Sequence, residues 1–240
     1  MRIAILLPRH GDTKGLFTLC LARMLVFSLQ ADVRSPQGPV KLEIEMFSVS
    51  SSDLPENRTV LLGQALEWKA DYILWVDGDQ TFPPNALLRL MGRRLEVVGC
   101  NYTRRAEPLR PTAAKVDADG RLVHVWTTEA LAKADTVEEV AHLGLGFCLM
   151  ETRLFARIRP AVEQSGSWAE WAPFERIRVP GTRQFMMEDV SFFARLGALG
   201  VRVHIDHALS WEIGHIADRI LTNADAAANR DEFMRSPLAT

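Results

Sequence analysis

The sequence runs Tyr72-Ile73-Leu74-Trp75-Val76-Asp77-Gly78-Asp79, five apolar residues followed directly by two carboxylates one residue apart. A short continuous apolar run of this kind is typical of a strand buried on both faces of a sheet. In open α/β sheets, ligands bind beyond the carboxyl ends of the strands. This segment therefore predicts a central strand over residues 72–76 and a binding site at Asp77 and Asp79.

The segments on either side alternate between strand and helix patterns. Apolar runs or period-two alternation mark the strands, and apolar residues at helical spacing mark the helices. The predicted order is a strand over residues 3–7, a helix over 16–29, a strand over 42–49, a helix over 54–70, the central strand, a helix from Pro84 through Met91, and a strand over 97–100. This order predicts an α/β fold with a mostly parallel central sheet and helices on both faces.

After Tyr102 the pattern changes to shorter strands and longer loops. Asp119-Gly120 separates two apolar stretches and predicts a hairpin. Further predictions are a strand over residues 137–143, a segment over 148–158 that is helical at its end, a loop over 165–182, a helix over 188–199 and a strand over 201–205. We expect one domain over residues 1–240, with a smaller β region in about 106–220 and a tail over 221–240.

Composition excludes several classes of protein. Lys and Arg number 28 against 30 Asp and Glu in 240 residues, whereas nucleic-acid binding needs a basic excess, so we expect no nucleic-acid partner. Cys20, Cys100 and Cys148 lack metal-ligand or redox spacing, which favours a reducing, cytoplasmic location. The N-terminal apolar run is too short for a signal peptide, and no stretch approaches the ~18 apolar residues of a membrane span, so we expect no transmembrane segment.

The acidic pair has two interpretations. Paired hard oxygen ligands at a strand end suit Mg²⁺ or Mn²⁺, which in turn neutralises phosphate oxygens. Alternatively, Asp77-Gly78 is a turn, because Asp-Gly is a strong hairpin signal. Pro83 and Pro84 leave little room for a return strand, which favours the metal site.

Three further groups of side chains are candidates for the same site. Glu188 and Asp189 open a predicted helix, where they either complement the helix dipole or supply a general base. His215 follows the last strand and is either structural or a third metal ligand. Arg104 and Arg105 follow another strand end and either hold a diphosphate or form a solvated face.

Three loops carry weaker signals. His10 follows the first strand, where a nucleotide base commonly rests, or is a solvated loop residue. Gly144 and Gly146 indicate close backbone approach by a ligand, or a bulge. Trp168 and Trp171 either form a platform for a sugar ring or belong to the core.

In their order along the chain, several of these motifs resemble one enzyme family. They are Asn57-Arg58, Ala65-Leu66, residues 72–79, Phe82-Pro83-Pro84, Leu87, residues 97–102, Gly144-Leu145-Gly146-Phe147, Glu188-Asp189 and Gly214-His215-Ile216. The set resembles glycosyltransferases of the GT-A fold, of the family 2-like and Anp1/Mnn9 types. The likeness covers most of the chain, from the first strand to about Ile216.

The resemblance implies a role for each matching residue. Asp77 and Asp79 would be the DxD pair, which meets the diphosphate of a nucleotide-sugar through Mn²⁺ or Mg²⁺, and His215 would contact the metal or the diphosphate. Asp189, or Glu188, would be the carboxylate on the acceptor side. The residues expected to bind the donor are Pro8, Arg9, His10, Asp77, Gly78, Arg104 and Arg105. Many relatives have Arg-Asn where this chain has Asn57-Arg58, so no role is carried onto those two residues.

We therefore expect a metal-dependent glycosyltransferase that moves a sugar from a nucleoside-diphosphate sugar to an unidentified sugar, lipid-linked or protein acceptor. Residues of about 1–105 would bind the donor and those of about 106–220 the acceptor. One alternative is a phosphatase of the haloacid-dehalogenase type, because Asp77-Gly78-Asp79-Gln80-Thr81 fits Asp-x-Asp-x-Thr with a nucleophilic first Asp. The other is a nucleotide-sugar-binding module without catalysis. The strand–helix–strand–helix that precedes Asp77 favours the transferase.

Overall fold

The computed structural model describes residues 1–35, 38–163, 172–179, 181–217 and 220–235. Trp168 and Trp171 lie outside these residues, as do residues 165–171 and residue 180 of the loop predicted over 165–182. No helix within the described ranges is both long enough and apolar enough to cross a membrane.

Strands and helices alternate along the first part of the chain, as predicted. The strands are β1 (Arg2–Arg9), β2 (Val33–Ser35), β3 (Gly38–Val40), β4 (Glu43–Ser50), β5 (Tyr72–Val76), β6 (Gln80–Thr81), β7 (Val97–Gly99), β8 (Ala114–Val116), β9 (Leu122–His124), β10 (Val137–Val140), β11 (Phe147–Glu151), β12 (Val203–Asp206), β13 (Gly214–Ile216) and β14 (Ile220–Leu221). The helices are α1 (Gly15–Gln30), α2 (Leu54–Glu67), α3 (Ala86–Gly92), α4 (Glu129–Lys133), α5 (Arg153–Glu163), α6 (Glu188–Ala198), α7 (His207–Glu212), α8 (Asn223–Ala228) and α9 (Arg230–Arg235).

The central sheet has the strand order β10-β12-β7-β11-β5-β1-β4. Strands β4, β1 and β5 are parallel to one another, and β7 is parallel to β12. Strand β11 runs antiparallel to both β5 and β7, and β10 runs antiparallel to β12. The α/β class is therefore confirmed, but the sheet is mixed rather than mostly parallel, because β11 returns from the second half of the chain and enters its middle.

Both faces of the sheet are covered by helices. Ile3 and Ile5 of β1 belong to the core that contains α1, α3 and α7, whereas Ala4 and Leu6 belong to the core with α2, α5 and α6. This alternation follows from the period-two geometry of a strand. It also explains the continuous apolar runs of β1 and β5, since neither face of these strands meets water.

The sheet topology gathers three chain segments at one edge. Strands β1 and β5 are parallel neighbours, so their carboxyl ends lie side by side. Because β11 is antiparallel to β5, its start meets the end of β5, with Phe147 opposite Val76. The backbone N–H of Asp77 accordingly donates to the carbonyl of Gly146 at 2.9 Å.

The stretch expected to be a tail contains α8 and α9. The side-chain amide of Asn223 donates to the carbonyl of Asn101 at 2.8 Å and to that of Ser210 at 2.6 Å, and all three residues are buried. Phe233 of α9 is also buried. These hydrogen bonds attach the start of α8 to Asn101, just after β7, and to Ser210 of α7.

Helix α2 begins with a side-chain cap. The carboxylate of Asp53 accepts from the N–H of Glu56 at 3.1 Å, and a proline stands in the first turn. We expect Asp53→Ala to destabilise the protein by about 1 kcal/mol, since one N–H loses its partner. The melting midpoint should fall by roughly 2–4 °C in a chain of this size. Calorimetry should show Asp53→Asn close to the native protein, and equal losses for both variants would contradict the cap.

Candidate functional site

A short strand pairing brings His215 to the acidic turn. After Asp79 the chain forms β6, which pairs antiparallel with β13, so that Gln80 lies opposite His215. The N–H of Ile216 donates to the carbonyl of Asp79 at 2.8 Å. As a result, Nε2 of His215 lies 3.4 Å from Oδ2 of Asp79.

The other ring nitrogen of His215 fixes the tautomer. Its Nδ1 lies 2.8 Å from the carbonyl oxygen of Thr103, which can only accept a hydrogen bond. Nδ1 must therefore carry the hydrogen, and in the neutral ring Nε2 presents its lone pair to Asp79. Two acceptors that face each other favour a proton or a cation between them, and a carbonyl behind the ring is the usual support of a metal-binding histidine.

Asp79 is held in its ionised form by its neighbours. Nη2 of Arg105 lies 2.9 Å from Oδ2 of Asp79. Burial acts to raise the pKa of Asp79, but when His215 is protonated its hydrogen bond and charge, together with the charge of Arg105, outweigh the effect of burial, so the pKa is lowered. The carboxylate is thus charged at neutral pH.

Asp77 is paired with an arginine beneath the site. Arg58 is 2% exposed, and its Nη2 lies 3.4 Å from Oδ1 of Asp77. Its guanidinium carbon lies 5.4 Å from the centre of the Trp75 ring. Within the described part of the chain, Nε and Nη1 of Arg58 are buried without a hydrogen-bond partner. Burial raises the pKa of Asp77, and the charge of Arg58 offsets only part of that rise.

Sequence reasoning missed Arg58, although a signal for it exists. Arg58, Leu61, Leu62 and Ala65 are all buried and follow the spacing of one helix face. A single charged residue on the buried stripe of a helix must be paired, because an isolated buried charge is costly. The position of Arg58 in the stripe thus marks it as a partner for a carboxylate.

Gly144 and Gly146 make room for a phenol rather than for a ligand. A Cβ at Gly144 would lie 2.3 Å from the hydroxyl of Tyr102, and one at Gly146 would lie 2.9 Å from Oδ2 of Asp77. The N–H of Gly146 donates to the Tyr102 hydroxyl at 3.0 Å, and the Tyr102 ring meets that of His215 edge-on at 5.5 Å. Tyr102 therefore contacts both His215 and the backbone just before β11.

Glu188 and Asp189 stand in the first turn of α6, and their charges act on groups of the acidic turn. Glu188 is 4% exposed; its Oε2 lies 3.9 Å from Nη2 of Arg176 and has no hydrogen-bond partner among the described residues. The pKa of Asp189 is raised, first by burial and then by the negative charge of Glu188. The charge of Glu188 also raises the pKa of Asp77, and that of Asp189 raises the pKa of Tyr102. Both carboxylates therefore lie close to the acidic turn.

The residues expected around the nucleotide lie at the ends of β1 and β4. Pro8 is buried; Nε of Arg9 donates to the hydroxyl of Ser48 at 2.7 Å, and Nδ1 of His10 lies 3.4 Å from the carbonyl of Ser51. Among the described contacts, none joins these residues to the acidic turn. Pro8, Arg9 and His10 therefore lie at the same end of the strands as the acidic turn but make no described contact with it.

Gly78 and Arg104 were both expected to bind the donor. The carbonyl of Gly78 accepts from the N–H of Lys14 at 3.1 Å, and a Cβ at Gly78 would lie 3.0 Å from Cγ2 of Thr13. The charge of Arg104 acts to lower the pKa of Asp189, against the larger rise caused by burial. Arg105, in contrast, makes a direct contact with Asp79.

Asp79 and His215 are the residues that could hold a divalent cation. Within the described residues, no three His, Cys, Asp or Glu side chains gather into a metal cluster, and Asp79 and His215 form a pair. Mg²⁺ is usually bound by one or two carboxylates together with substrate phosphates rather than by a complete protein cage. Asp79 and His215 would hold the ion, and Asp77 lies beside them on the same turn.

A histidine near Arg104 makes stability depend on pH. Burial lowers the pKa of His142 to about 4, with the charges of His124 and Arg104 adding to the effect. An unfolded imidazole titrates near ~6.5, so between pH 7 and 5 the unfolded chain gains a proton that the folded chain refuses. The free energy of unfolding should therefore fall by on the order of 2 kcal/mol over this window, and stop falling on this account below about pH 4.

Urea unfolding at pH 7 and pH 5 tests this expectation. The variant His142→Gln should lose most of that pH dependence, and the exposed His10→Gln should keep it. An unchanged pH dependence in His142→Gln would mean that other groups cause it.

Comparison with known proteins gives a likeness in fold but no relative in sequence. The sequence matches no protein-family model, and no curated protein is similar to it. Among solved structures, the chain is similar to A197 from STIV, with 18% identity and a TM-score of 0.51 over 92% of this chain and 94% of that one. It is also similar to the nucleoside-diphosphate-sugar pyrophosphorylase from Vibrio cholerae RC9, with 10% identity and a TM-score of 0.47 over 98% and 100% of the two chains. The first likeness extends along nearly the whole of both chains and shows a shared fold.

Proposed function

We propose that this chain is a divalent-cation-dependent glycosyltransferase of the GT-A type, which transfers a sugar from a nucleoside-diphosphate sugar to an acceptor hydroxyl. The observation that carries the proposal is the pair of Asp79 and His215, in which a carboxylate and an imidazole lone pair face each other 3.4 Å apart beyond the end of β5. This pair lies where α/β sheets bind ligands. A second pair of carboxylates, Glu188 and Asp189, stands close by to serve the acceptor.

The donor side of the site supplies positive charge for a diphosphate. A cation held by Asp79 and His215 would neutralise charge that develops on the departing nucleoside diphosphate. Arg105 is half exposed and already contacts Asp79, so it can bind a phosphate oxygen beside that carboxylate. Arg58 acts from below by holding Asp77 in place.

The acceptor side supplies a base. A general base works best when its pKa lies near the operating pH, and Asp189 has a raised pKa. In this proposal Asp189 orients the acceptor hydroxyl and takes its proton as the sugar is transferred. Glu188 raises the basicity of Asp189 through its charge.

A thermal-shift screen tests the donor site. The protein would be melted with nucleoside diphosphates and nucleotide-sugars, each with and without Mn²⁺, and a ligand at ~100 times its Kd should add roughly 2.7 kcal/mol to stability. Stabilisation by one base type that requires Mn²⁺ and disappears in Asp79→Asn would support the proposal. Glu43→Gln is the matched control, because Glu43 is an exposed carboxylate at the start of β4 paired with Arg2.

Activity assays, combined with this screen, separate the alternatives. Turnover of p-nitrophenyl phosphate, lost in Asp77→Asn, together with no nucleotide binding would identify a phosphatase. Nucleotide-sugar binding without any hydrolysis or transfer of the sugar would identify a binding module. Either result would overturn the transferase.

A further inference from the structure

Helix α1 is apolar on both of its faces. Phe17, Leu21 and Met24 are buried in the core against the sheet. The opposite face carries Leu16, Leu19, Val26 and Phe27, which are 43%, 47%, 55% and 44% exposed. These residues, with Arg23 between them, follow helical spacing and form a line along the helix that we call the outer stripe.

The outer stripe requires a partner. A helix that is apolar all round is normally covered all round, and a contiguous exposed apolar patch marks an interaction site. Single exposed apolar residues need no explanation, but here four large side chains stand in one line. The charge pattern of the helix identifies what covers them.

Arg23 is the one charged residue between Gly15 and Gln30 and stands in the middle of the outer stripe. A second copy of the chain that packed two-fold about this point would bring two guanidinium groups together, with no carboxylate in either helix to neutralise them. An anionic lipid surface has no such conflict. The apolar side chains enter the acyl boundary, while Arg23 extends its charged end to the phosphate headgroups.

We propose that the outer stripe of α1 docks on the surface of an anionic phospholipid bilayer. Lys14, which directly precedes α1, is exposed and adds a second positive charge at the N-terminal end of the helix. The N–H of Lys14 donates to the carbonyl of Gly78, so the docked helix begins at the rim of the candidate site. That site would then open next to the membrane surface. The inference stands whether or not the site transfers sugars.

Vesicle co-sedimentation tests the docking. The native chain should sediment with vesicles of phosphatidylcholine and phosphatidylglycerol, and much less with phosphatidylcholine alone. Leu19→Glu and Phe27→Glu should each weaken binding at least tenfold. Arg23→Gln should weaken binding to the anionic vesicles about fivefold and leave the weak binding to neutral ones unchanged.

Val60→Glu is the matched control, because Val60 is 44% exposed on α2 and lies outside the outer stripe. This variant should bind vesicles like the native chain, and circular dichroism should show all variants folded. Absence of sedimentation with either vesicle would overturn the proposal. So would a dimer in sedimentation velocity that Leu19→Glu dissociates, since a second copy would then cover the stripe.

Discussion

Asp79→Asn should lower donor hydrolysis or sugar transfer by at least about a hundredfold, which is the usual cost of removing one group that stabilises charge in a transition state. The amide cannot balance a cation, and it leaves the lone pair of His215 without a charged partner. The variant should also lose the Mn²⁺-dependent part of the nucleotide-induced thermal shift. Both effects are measured on the same preparation, by product formation and by melting.

Arg105→Gln is the informative companion to Asp79→Asn. Arg105 contacts the same oxygen of Asp79, but it carries a positive charge and is 47% exposed. This variant should weaken nucleotide affinity while keeping the requirement for Mn²⁺. If Asp79→Asn kept both its activity and its Mn²⁺ dependence, the proposed role of the acidic turn would be wrong.

Arg58→Met should destabilise the protein by about 3 kcal/mol, because it removes the buried half of an ion pair and leaves the partly buried carboxylate of Asp77 without its positive partner. In a chain of this size the melting midpoint should fall by roughly 6–12 °C. Methionine approximates the length of the aliphatic part of arginine, so the loss reports charge more than volume. Urea unfolding at neutral pH measures it.

A double-mutant cycle with Asp77→Asn separates charge pairing from packing. The double variant Arg58→Met/Asp77→Asn should recover part of the loss, because the carboxylate that lacked a partner is then absent. We expect a coupling energy on the order of 1–3 kcal/mol for two groups in direct contact. Strict additivity would mean that Arg58 stabilises the fold through Trp75 and its other neighbours alone.

Much of the fold follows from local sequence. The apolar runs over residues 3–7 and 72–76 lie within β1 and β5, and the structure buries both faces of each strand there. Asp119-Gly120 marks the turn between β8 and β9. These elements depend on residues that are close together in the chain, and they can therefore be predicted from the sequence alone.

Strand β11 was not predicted, for a physical reason. Its first four residues form an apolar run shortly before α5, and a short buried run has the same appearance in a strand and in a helix. Its antiparallel place between β5 and β7 depends on contacts far apart in sequence. The expectation of a mostly parallel sheet was wrong because of this one insertion and the antiparallel edge strand β10.

The candidate site also contains some residues that local sequence identifies and others that it does not. Asp77 and Asp79 were identified because they directly follow a strand. The approach of His215 to Asp79 depends on the pairing of β6 with β13, which are too short to recognise in sequence. Arg58 was passed over because a motif comparison asks for residue order, whereas its role depends on which helix face is buried.

The position of β11 has a consequence for how the chain is made. Within the sheet, β7 has β11 and β12 as its neighbours, and β11 also covers the open side of β5. A chain growing on the ribosome therefore carries β1, β4 and β5 with the hydrogen-bonding edge of β5 exposed until Phe147–Glu151 has emerged. The sheet is complete only when both parts of the chain, those expected to bind donor and acceptor, are present.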